Sequence, residues 1–252
     1  MITNAKVKEL IALRDKSKAR RETGLYIVEG KKMCQEAPAN MVVETYVTDK
    51  FKQANIEWLK DRKYEVIDEK TFEKLSDTKT PQGIMSVLKQ PGYDLDGLLK
   101  EGELYIILED IQDPGNLGTI IRTAEGAGAT AIIMSRGCVD IFNPKTIRST
   151  MGPIYRVPFV YTDDLVAAID KVKKAGISVY AAHLKGEQYY DDINYGRSAF
   201  LIGNEGNGLR EETASLADTY IKIPMAGKVE SLNAAVATSI LIYEHNRQMR
   251  KR

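Results

Sequence analysis

Three short segments of the sequence place polar side chains beside glycines, a combination suited to holding a ligand. Glycine permits positive φ angles and lets the backbone come close to a bound group, while helix starts present N–H groups to an anion. The segments are "NLGTIIRTAEGAGA" from residue 116, "LIGNEGNGLR" from residue 201 and "IPMAGKVESLNAAVATSILIYEH" from residue 223. Their residue types indicate that all three could contribute to one site.

The first segment is similar to a dinucleotide-binding turn but lacks its spacing. Gly115 and Gly118 follow G-x-x-G rather than G-x-G-x-x-G, and the next strand ends in Ser135 and Arg136 instead of an acidic residue for a ribose. A nicotinamide-dependent oxidoreductase on a Rossmann-like fold is therefore kept as an alternative that the spacing disfavours.

Two polar residues of the same segment do not share a helix face. Asn116 and Arg122 are separated by about 600° of helical rotation, so the tertiary fold must bring them together if they cooperate. Asn116 is either a helix N-cap or a ligand-facing amide, and Arg122 is either a surface ion-pair partner or a group of the site.

The second and third segments raise similar alternatives. Three glycines within residues 203–208 surround Glu205, which is either an exposed loop tip or a carboxylate held over a ligand. In the third segment apolar residues occupy every face of the following helix, which predicts burial all round. Ser231 and Asn233 begin that helix. Either Ser231 caps it while Asn233 bonds the loop, or both face a shared site.

Hydrophobic periodicity predicts the elements that position these segments. Residues 1–92 alternate short strands with charged helices, residues 93–102 form a linker, and residues 103–252 begin with a β-α-β unit. Alternation of strands and helices predicts an α/β fold with a mostly parallel sheet covered on both faces. The predicted strands are 25–30, 42–48, 64–68, 83–89, 103–110, 130–134, 155–160, 177–183 and 198–203. The predicted helices after the first unit include 116–129, 142–150 with Asn143 as N-cap, and 163–176.

Composition narrows the class of protein. The chain has 252 residues, 43% of them hydrophobic, which supports a substantial core. Two distant cysteines predict neither a metal site nor a disulfide. Because the sequence has no long apolar run and no secretory leader pattern, we expect a cytoplasmic protein without a membrane segment.

Charge is balanced overall but uneven along the chain. The net charge of +1 excludes a uniformly basic nucleic-acid binder, although residues 1–21 and the final "NRQMRKR" are basic. These runs are either solvated faces or phosphate-facing arms. Three tyrosines in "GEQYYDDINYG", at positions 189, 190 and 195, could stack on nucleobases or pack within the protein.

Together, the three segments are similar to the ordered motifs of the SpoU, or TrmH-like, branch of the SPOUT RNA methyltransferases. The stretch "GLYIVEGKKMCQEA" also resembles the L30e-like substrate-binding domain that many members carry ahead of the catalytic domain. The resemblance thus implies an L30e-like RNA substrate-binding domain in residues 1–92 and a SPOUT catalytic domain in residues 103–252.

This resemblance implies a C-terminal trefoil knot, a homodimer, and S-adenosylmethionine-dependent methylation of a ribose 2′-hydroxyl in rRNA or tRNA. It implies no metal. The implied functional residues are Asn116, Arg122, Glu205, Ser231 and Asn233, and the implied main-chain contacts to the cofactor lie at Gly203, Ile223, Met225 and Leu232. Since a guanidinium stays protonated at neutral pH, we expect Arg122 to clamp a phosphate or oxyanion rather than act as a base. A catalytically inactive RNA-binding protein is the remaining alternative, which the five intact residues disfavour.

Overall fold

The computed structural model describes residues 2–186 and 188–251, which contain eleven strands and twelve α-helices. The strands are β1 (Leu25–Glu29), β2 (Val42–Val47), β3 (Glu65–Val66), β4 (Ile84–Lys89), β5 (Leu104–Leu108), β6 (Ala131–Ser135), β7 (Phe159–Thr162), β8 (Ser178–Ala182), β9 (Gln188–Tyr189), β10 (Ser198–Ile202) and β11 (Thr219–Lys222). The helices are α1 (Asn4–Asp15), α2 (Ser17–Thr23), α3 (Lys31–Glu36), α4 (Asp49–Ala54), α5 (Ile56–Leu59), α6 (Glu69–Leu75), α7 (Leu95–Leu98), α8 (Pro114–Ala127), α9 (Pro144–Thr150), α10 (Leu165–Lys174), α11 (Glu211–Ala214) and α12 (Ala234–Met249).

The chain divides into two compact units. The first consists of the residues up to Gly92 together with Asp140–Tyr155, and the second of Tyr93–Val139 and the residues from Arg156 onward. Residues 140–155 thus belong by their contacts to the first unit, although they lie within the range 103–252 that the sequence suggested for the catalytic domain.

The first unit is a four-stranded sheet in the order β1-β4-β2-β3 with helices packed on it. β4 pairs antiparallel with both β1 and β2, whereas β2 and β3 run parallel. α1 contributes Leu10 and Leu13 to the core, where they meet Phe72 of α6 and Val87 of β4. The four strands predicted in residues 25–89 are all present.

The segment that contains α9 completes the first unit. Asn143 caps α9 by accepting from the Lys145 N–H at 2.9 Å, and Pro144 is the first helical residue, as predicted. Just before the helix, the ring of Phe142 lies 4.4 Å from that of Tyr26, and Asp140 pairs with the buried Arg20 at 2.7 Å.

The second unit is built on a seven-stranded sheet in the order β7-β6-β5-β10-β8-β11-β9, and every pairing within it is parallel. Each residue of β5, β6 and β10 is buried, as is typical of strands covered on both faces. The predicted mostly parallel sheet is therefore confirmed.

One strand boundary was predicted wrongly. The sequence suggested a strand over residues 155–160, but Pro153–Tyr155 form a 3₁₀ turn and β7 begins only at Phe159. Pro158 has no N–H to donate to a ladder, so regular pairing starts after it.

The predicted linker, residues 93–102, contains the short helix α7. This helix is followed by Leu99, which is buried in the core of the second unit.

The helix α8 begins and ends where its terminal residues dictate. Asp113 caps it by accepting from the Asn116 N–H at 2.8 Å, Pro114 is the first helical residue, and Gly128 ends it at φ 73°. Asn116 is therefore not the N-cap, which leaves its side chain available for other contacts.

The final helix departs from the predicted burial on all faces. α12 begins at Ala234 with Asn233 as its N-cap, rather than Ser231. Its buried side includes Leu241 and Ile242, but Val236 and Tyr243 are 47% and 46% exposed. An apolar stripe therefore faces solvent in a single chain.

Among the described residues, no helix is both long and apolar enough to cross a bilayer.

Candidate functional site

A cavity of about 680 Å³ lies at the carboxyl ends of three neighbouring parallel strands, β10, β8 and β11. Ligands of open α/β sheets bind at this edge, because the loops that leave the strands diverge there. The loop after β10, the turn after β8 and the segment after β11 all line the cavity. It is large enough for a cofactor-sized molecule.

The four residues expected to contact a cofactor through their main chains all line this cavity. They are Gly203, Ile223, Met225 and Leu232. Ser231 also lines it, and its exposed side chain makes no hydrogen bond to a described residue. The second and third glycine-containing segments therefore do converge on one cavity, although residues 211–222 separate them in the sequence.

Gly203 occupies a position that only glycine fits. A Cβ atom there would overlap the Gly208 carbonyl carbon and the Leu209 amide nitrogen, and would lie 2.6 Å from the Gly208 oxygen. Backbone atoms cannot rotate away as a flexible side chain can. The loop therefore closes tightly on itself at the cavity wall.

Asn204 holds this loop in its closed form. Its backbone exchanges two hydrogen bonds with Gly208, at 3.1 and 3.0 Å, and its side-chain oxygen accepts from the N–H groups of Gly206 and Asn207. Its amide nitrogen donates to the Asp110 carbonyl at 2.7 Å, which fixes the loop to the end of β5. Every polar atom of the Asn204 side chain thus positions backbone.

Glu205, Asn116 and Asn233 form a hydrogen-bonded chain that links all three segments. The Asn116 amide nitrogen donates to Glu205 Oε1 at 3.0 Å, and the Asn233 amide nitrogen donates to Asn116 Oδ1 at 2.8 Å. Asn233 Oδ1 meanwhile accepts from the N–H groups of Ala235 and Val236 at the start of α12. Three residues selected from separate segments therefore lie side by side.

Glu205 is held as a carboxylate. Burial opposes its ionisation, but hydrogen bonds from the Asn116 amide and from the backbone N–H groups of Glu205, Gln112 and Asp113 outweigh burial and lower the pKa of the carboxyl below its usual value. A carboxylate with a lowered pKa is a weak proton acceptor. It is better suited to orienting the groups around it.

Arg122 is not brought into the cavity. It lies on α8, is exposed, and forms no ion pair with a described residue. A single chain therefore assembles four of the five predicted functional side chains, around or beside the cavity, and leaves the fifth on an open helix surface.

Sequence reasoning missed a buried carboxylate that supports the cavity wall. Glu109, 1% exposed, accepts from the Arg210 N–H at 2.7 Å, from Arg210 Nε at 2.8 Å and from the Thr213 hydroxyl at 2.8 Å. These contacts fix the end of the glycine-rich loop against β5. The available signal was an acidic residue directly after a wholly apolar strand.

The neighbouring residue Asp110 was also missed. It adopts φ 53°, which is uncommon outside glycine, and its carboxylate accepts from the Ser135 hydroxyl at 2.7 Å. A Cβ on Gly137 would lie 2.6 Å from the Asp110 Cγ, so a larger residue there would displace the Asp110 side chain. Within residues 2–186 and 188–251, no three His, Cys, Asp or Glu side chains are grouped closely enough to hold a metal ion.

Known families and proteins resemble both parts of the chain. Residues 103–243 match the SpoU rRNA Methylase family, and residues 4–86 match the MRM3-like substrate binding domain. The chain is 34% identical over 243 residues to the 23S rRNA (guanosine(2553)-2′-O)-methyltransferase RlmP of Bacillus subtilis (strain 168), with 95% of each protein covered.

Solved structures of methyltransferases are also similar to nearly the whole chain. An AdoMet-bound rRNA methyltransferase from Sinorhizobium meliloti is 32% identical, with a TM-score of 0.85 and coverage of 99% of this chain and 97% of that chain. The SpoU methyltransferase AviRb from Streptomyces viridochromogenes, in complex with AdoMet, is 26% identical, with a TM-score of 0.86 and coverage of 99% and 100%.

Proposed function

Because the chain belongs to the SpoU rRNA methylase family, we propose that it transfers a methyl group from S-adenosylmethionine to a ribose 2′-hydroxyl of ribosomal RNA. The observation that carries this proposal is the convergence of the second and third glycine-containing segments on one cavity, beside the Glu205–Asn116–Asn233 chain. The first segment contributes Asn116 to that chain.

The proposed substrate can be specified to one nucleotide type in one RNA. The relative from Bacillus subtilis, matched over 95% of both chains, is described as acting on a guanosine of 23S rRNA. We therefore propose a guanosine of 23S rRNA as the methylated nucleotide, in the cytoplasm where ribosomes work. Mapping of 2′-O-methyl groups in RNA from cells with and without this gene tests it. Loss of a tRNA methyl group instead would contradict the narrower substrate.

The cavity fits the proposed methyl donor. When bound, S-adenosylmethionine supplies an electrophilic methyl group on a positively charged sulfur. Main-chain groups at Gly203, Ile223, Met225 and Leu232 hold the adenosine part of the donor, since the absent side chain at Gly203 lets the backbone come close. Calorimetry comparing S-adenosylmethionine with NAD would separate this role from that of a nicotinamide-dependent oxidoreductase.

The polar chain beside the cavity positions the acceptor ribose. Glu205 remains ionised at neutral pH and is bonded on both oxygens, so it orients Asn116 and the start of α8 rather than taking the hydroxyl proton. Ser231, whose hydroxyl lies at the cavity wall and bonds to none of the described residues, orients the donor or the ribose. The ribose proton leaves to water or through another group. Alignment of the reacting oxygen and methyl group supplies much of the rate.

Arg122 clamps a phosphate or the developing oxyanion. In a single chain it lies on an exposed helix surface, and we attribute its action to a homodimer in which α8 and the apolar stripe of α12 meet a second copy. Val236 and Tyr243 of that stripe are the exposed apolar residues that such contact would bury. Light scattering should then give twice the chain mass, and Tyr243→Asp should give the mass of one chain.

The trefoil knot of the family is part of the same proposal. An experimental structure whose C-terminal path could be drawn out straight without passing through a loop would contradict it.

The functional test is methyl transfer to 23S rRNA by the purified protein and its Arg122→Ala variant. We expect the variant to lose about 10²- to 10³-fold in rate, as for removal of an oxyanion contact, while its affinity for S-adenosylmethionine stays within about threefold. Lys174→Ala is the matched control, since Lys174 is exposed at the end of α10 and does not line the cavity. Normal methylation by Arg122→Ala would refute the Arg122 assignment, and no methylation by the wild type would refute the function.

A further inference from the structure

One side of the cavity extends beyond the four residues proposed to hold the methyl donor. There the lining consists of a turn and two strand ends that carry an aromatic ring and two lysines. Its side chains are Lys185 in the turn after β8, Tyr189 on β9 and Lys222 at the end of β11. We refer to these three residues as the basic rim.

Sheet register places two members of the basic rim together. Lys222 and Tyr189 are direct partners in the parallel pairing of β11 with β9, and the Lys222 Nζ lies 4.9 Å from the centroid of the Tyr189 ring. β9 is the edge strand of the sheet, and the side chain of Tyr189 is 43% exposed. Of the three tyrosines in this stretch, Tyr195 is fully buried and Tyr190 is half-buried, so Tyr189 is the most open to stacking.

The turn that carries Lys185 is built against the same strand end. His183 Nδ1 accepts from the Lys185 N–H at 3.1 Å, and the ring of His183 packs on Tyr220 at 5.1 Å. A Cβ on Gly186 would lie 2.8 Å from the Ile221 carbonyl carbon and 3.0 Å from the Lys222 amide nitrogen. The turn therefore packs directly on the backbone at Lys222, and it holds Lys185 near that residue.

Charge distinguishes what the basic rim can bind. Neither lysine forms an ion pair with a carboxylate of the described residues. The proposed methyl donor offers the lysines one carboxylate beside a positive sulfonium and a positive ammonium group, whereas RNA is a polyanion with a phosphate at every nucleotide to attract them. An exposed tyrosine adds a flat surface on which any base can stack. Together these features favour a nucleotide over the cofactor.

We propose that Lys185, Tyr189 and Lys222 form a subsite for a nucleotide next to the methylated one, with its base stacked on Tyr189 and its phosphate against the two lysines. This subsite rests on the proposed function, because it shares the cavity in which the acceptor ribose is placed. Through this subsite the second unit binds single-stranded RNA directly beside the reacting ribose, in addition to any contact that the first unit makes with the RNA.

The test measures binding of in vitro transcribed 23S rRNA and of S-adenosylmethionine separately. Tyr189→Ala should weaken RNA binding about 5- to 100-fold and raise the KM for RNA, and Tyr189→Phe, which keeps the ring, should restore most of the affinity. Lys222→Gln should reduce the slope of log affinity against log salt by about 0.7 to 0.9, the value for one lost phosphate contact. Lys174→Gln removes the same charge outside the cavity and should leave the slope unchanged.

The outcomes separate this subsite from the proposed function. If the wild type methylates RNA and the Tyr189 and Lys222 variants bind RNA as it does, the subsite is refuted while the function stands. If the variants lose affinity for S-adenosylmethionine and keep it for RNA, the basic rim belongs to the methyl donor and the subsite is also refuted. A wild type that methylates no RNA refutes the function itself. Thermal melts of Lys222→Gln and Tyr189→Phe show that the compared proteins are folded.

Discussion

Replacing Gly203 by alanine tests the closed loop on which the proposed donor cavity depends. The added Cβ would lie 2.6 Å from the Gly208 oxygen, whereas an ordinary contact distance is about 3.4 Å. The backbone at residue 203 and the backbone at Gly208 must therefore separate by at least 3.4 − 2.6 = 0.8 Å. The two hydrogen bonds between Asn204 and Gly208, now 3.1 and 3.0 Å long, would then be stretched beyond hydrogen-bonding distance.

The expected cost follows from these two effects. Overpacking costs about 1–3 kcal/mol, and each lost hydrogen bond about 0.5–1.5 kcal/mol, so partial relaxation leaves roughly 2–4 kcal/mol. For a chain of this size the melting temperature should fall by roughly 5–15 °C. Affinity for S-adenosylmethionine should fall at least about tenfold, because binding must restore the closed loop.

Calorimetric melting and titration with S-adenosylmethionine measure both quantities. Gly206→Ala is the matched control in the same loop, because its Cβ would meet nothing closer than Asn204 Oδ1 at 3.5 Å. We expect this control to melt within about 2 °C of the wild type. Equal melting temperatures and equal donor affinities for Gly203→Ala and Gly206→Ala would refute the close-packing argument.

Three further predictions concern the groups around the cavity. Because the pKa of Glu205 is lowered from 4.5, its ionised form stabilises the fold above that pH and the contribution is lost as the pH falls through the lower folded-state pKa. In urea unfolding at neutral pH, Glu205→Gln should therefore have a lower free energy of unfolding than the wild type. Between about pH 5 and pH 3 the variant should also lose less of its free energy of unfolding than the wild type does. Parallel plots of this free energy against pH for the two proteins would contradict this prediction. Glu109→Ala should lower the free energy of unfolding by about 2–4 kcal/mol by stripping Thr213 and the Arg210 N–H of their acceptor, and Arg210→Ala should cost less because that side chain is 57% exposed. Asn116→Ala should slow methyl transfer at least about tenfold in a single-turnover assay while donor affinity, measured by calorimetry, changes little, since Asn116 does not line the cavity; an unchanged rate would remove Asn116 from the proposed positioning chain.

Local chemistry was sufficient to predict most elements in the carboxyl-terminal part of the chain, from β5 onward. The apolar runs at β5 and β10 favoured strands covered on both faces, and Pro144 after Asn143 marked a helix start independently of tertiary context. The strand predicted at residues 155–160 is present as β7, but its start was predicted too early because Pro158 delays regular pairing to Phe159.

The candidate site depended on information that lies far apart in the sequence. Asn116 and Glu205 are separated by 89 positions and Asn116 and Asn233 by 117, so their hydrogen bonds could not be read from spacing. The resemblance to a family selected these residues, and the fold shows that they touch. Glu109 escaped notice because its partners, Arg210 and Thr213, lie 101 and 104 positions away.

The final helix shows the opposite error. Its composition suggested burial on every side, yet Val236 and Tyr243 are exposed, because a sequence pattern reports which faces can be covered and not what covers them. A second copy of the chain is the covering that we propose.

The amino-terminal unit is not contiguous along the gene. A fragment ending at codon 92 would encode a body without α9, leaving the Tyr26 ring without Phe142 and the buried guanidinium of Arg20 without its counterion Asp140. Such a fragment should be prone to aggregation when expressed alone. Recombination between relatives that exchanged the first unit would likewise have to transfer two separate gene segments together. One encodes the residues up to Gly92 and the other encodes residues 140–155.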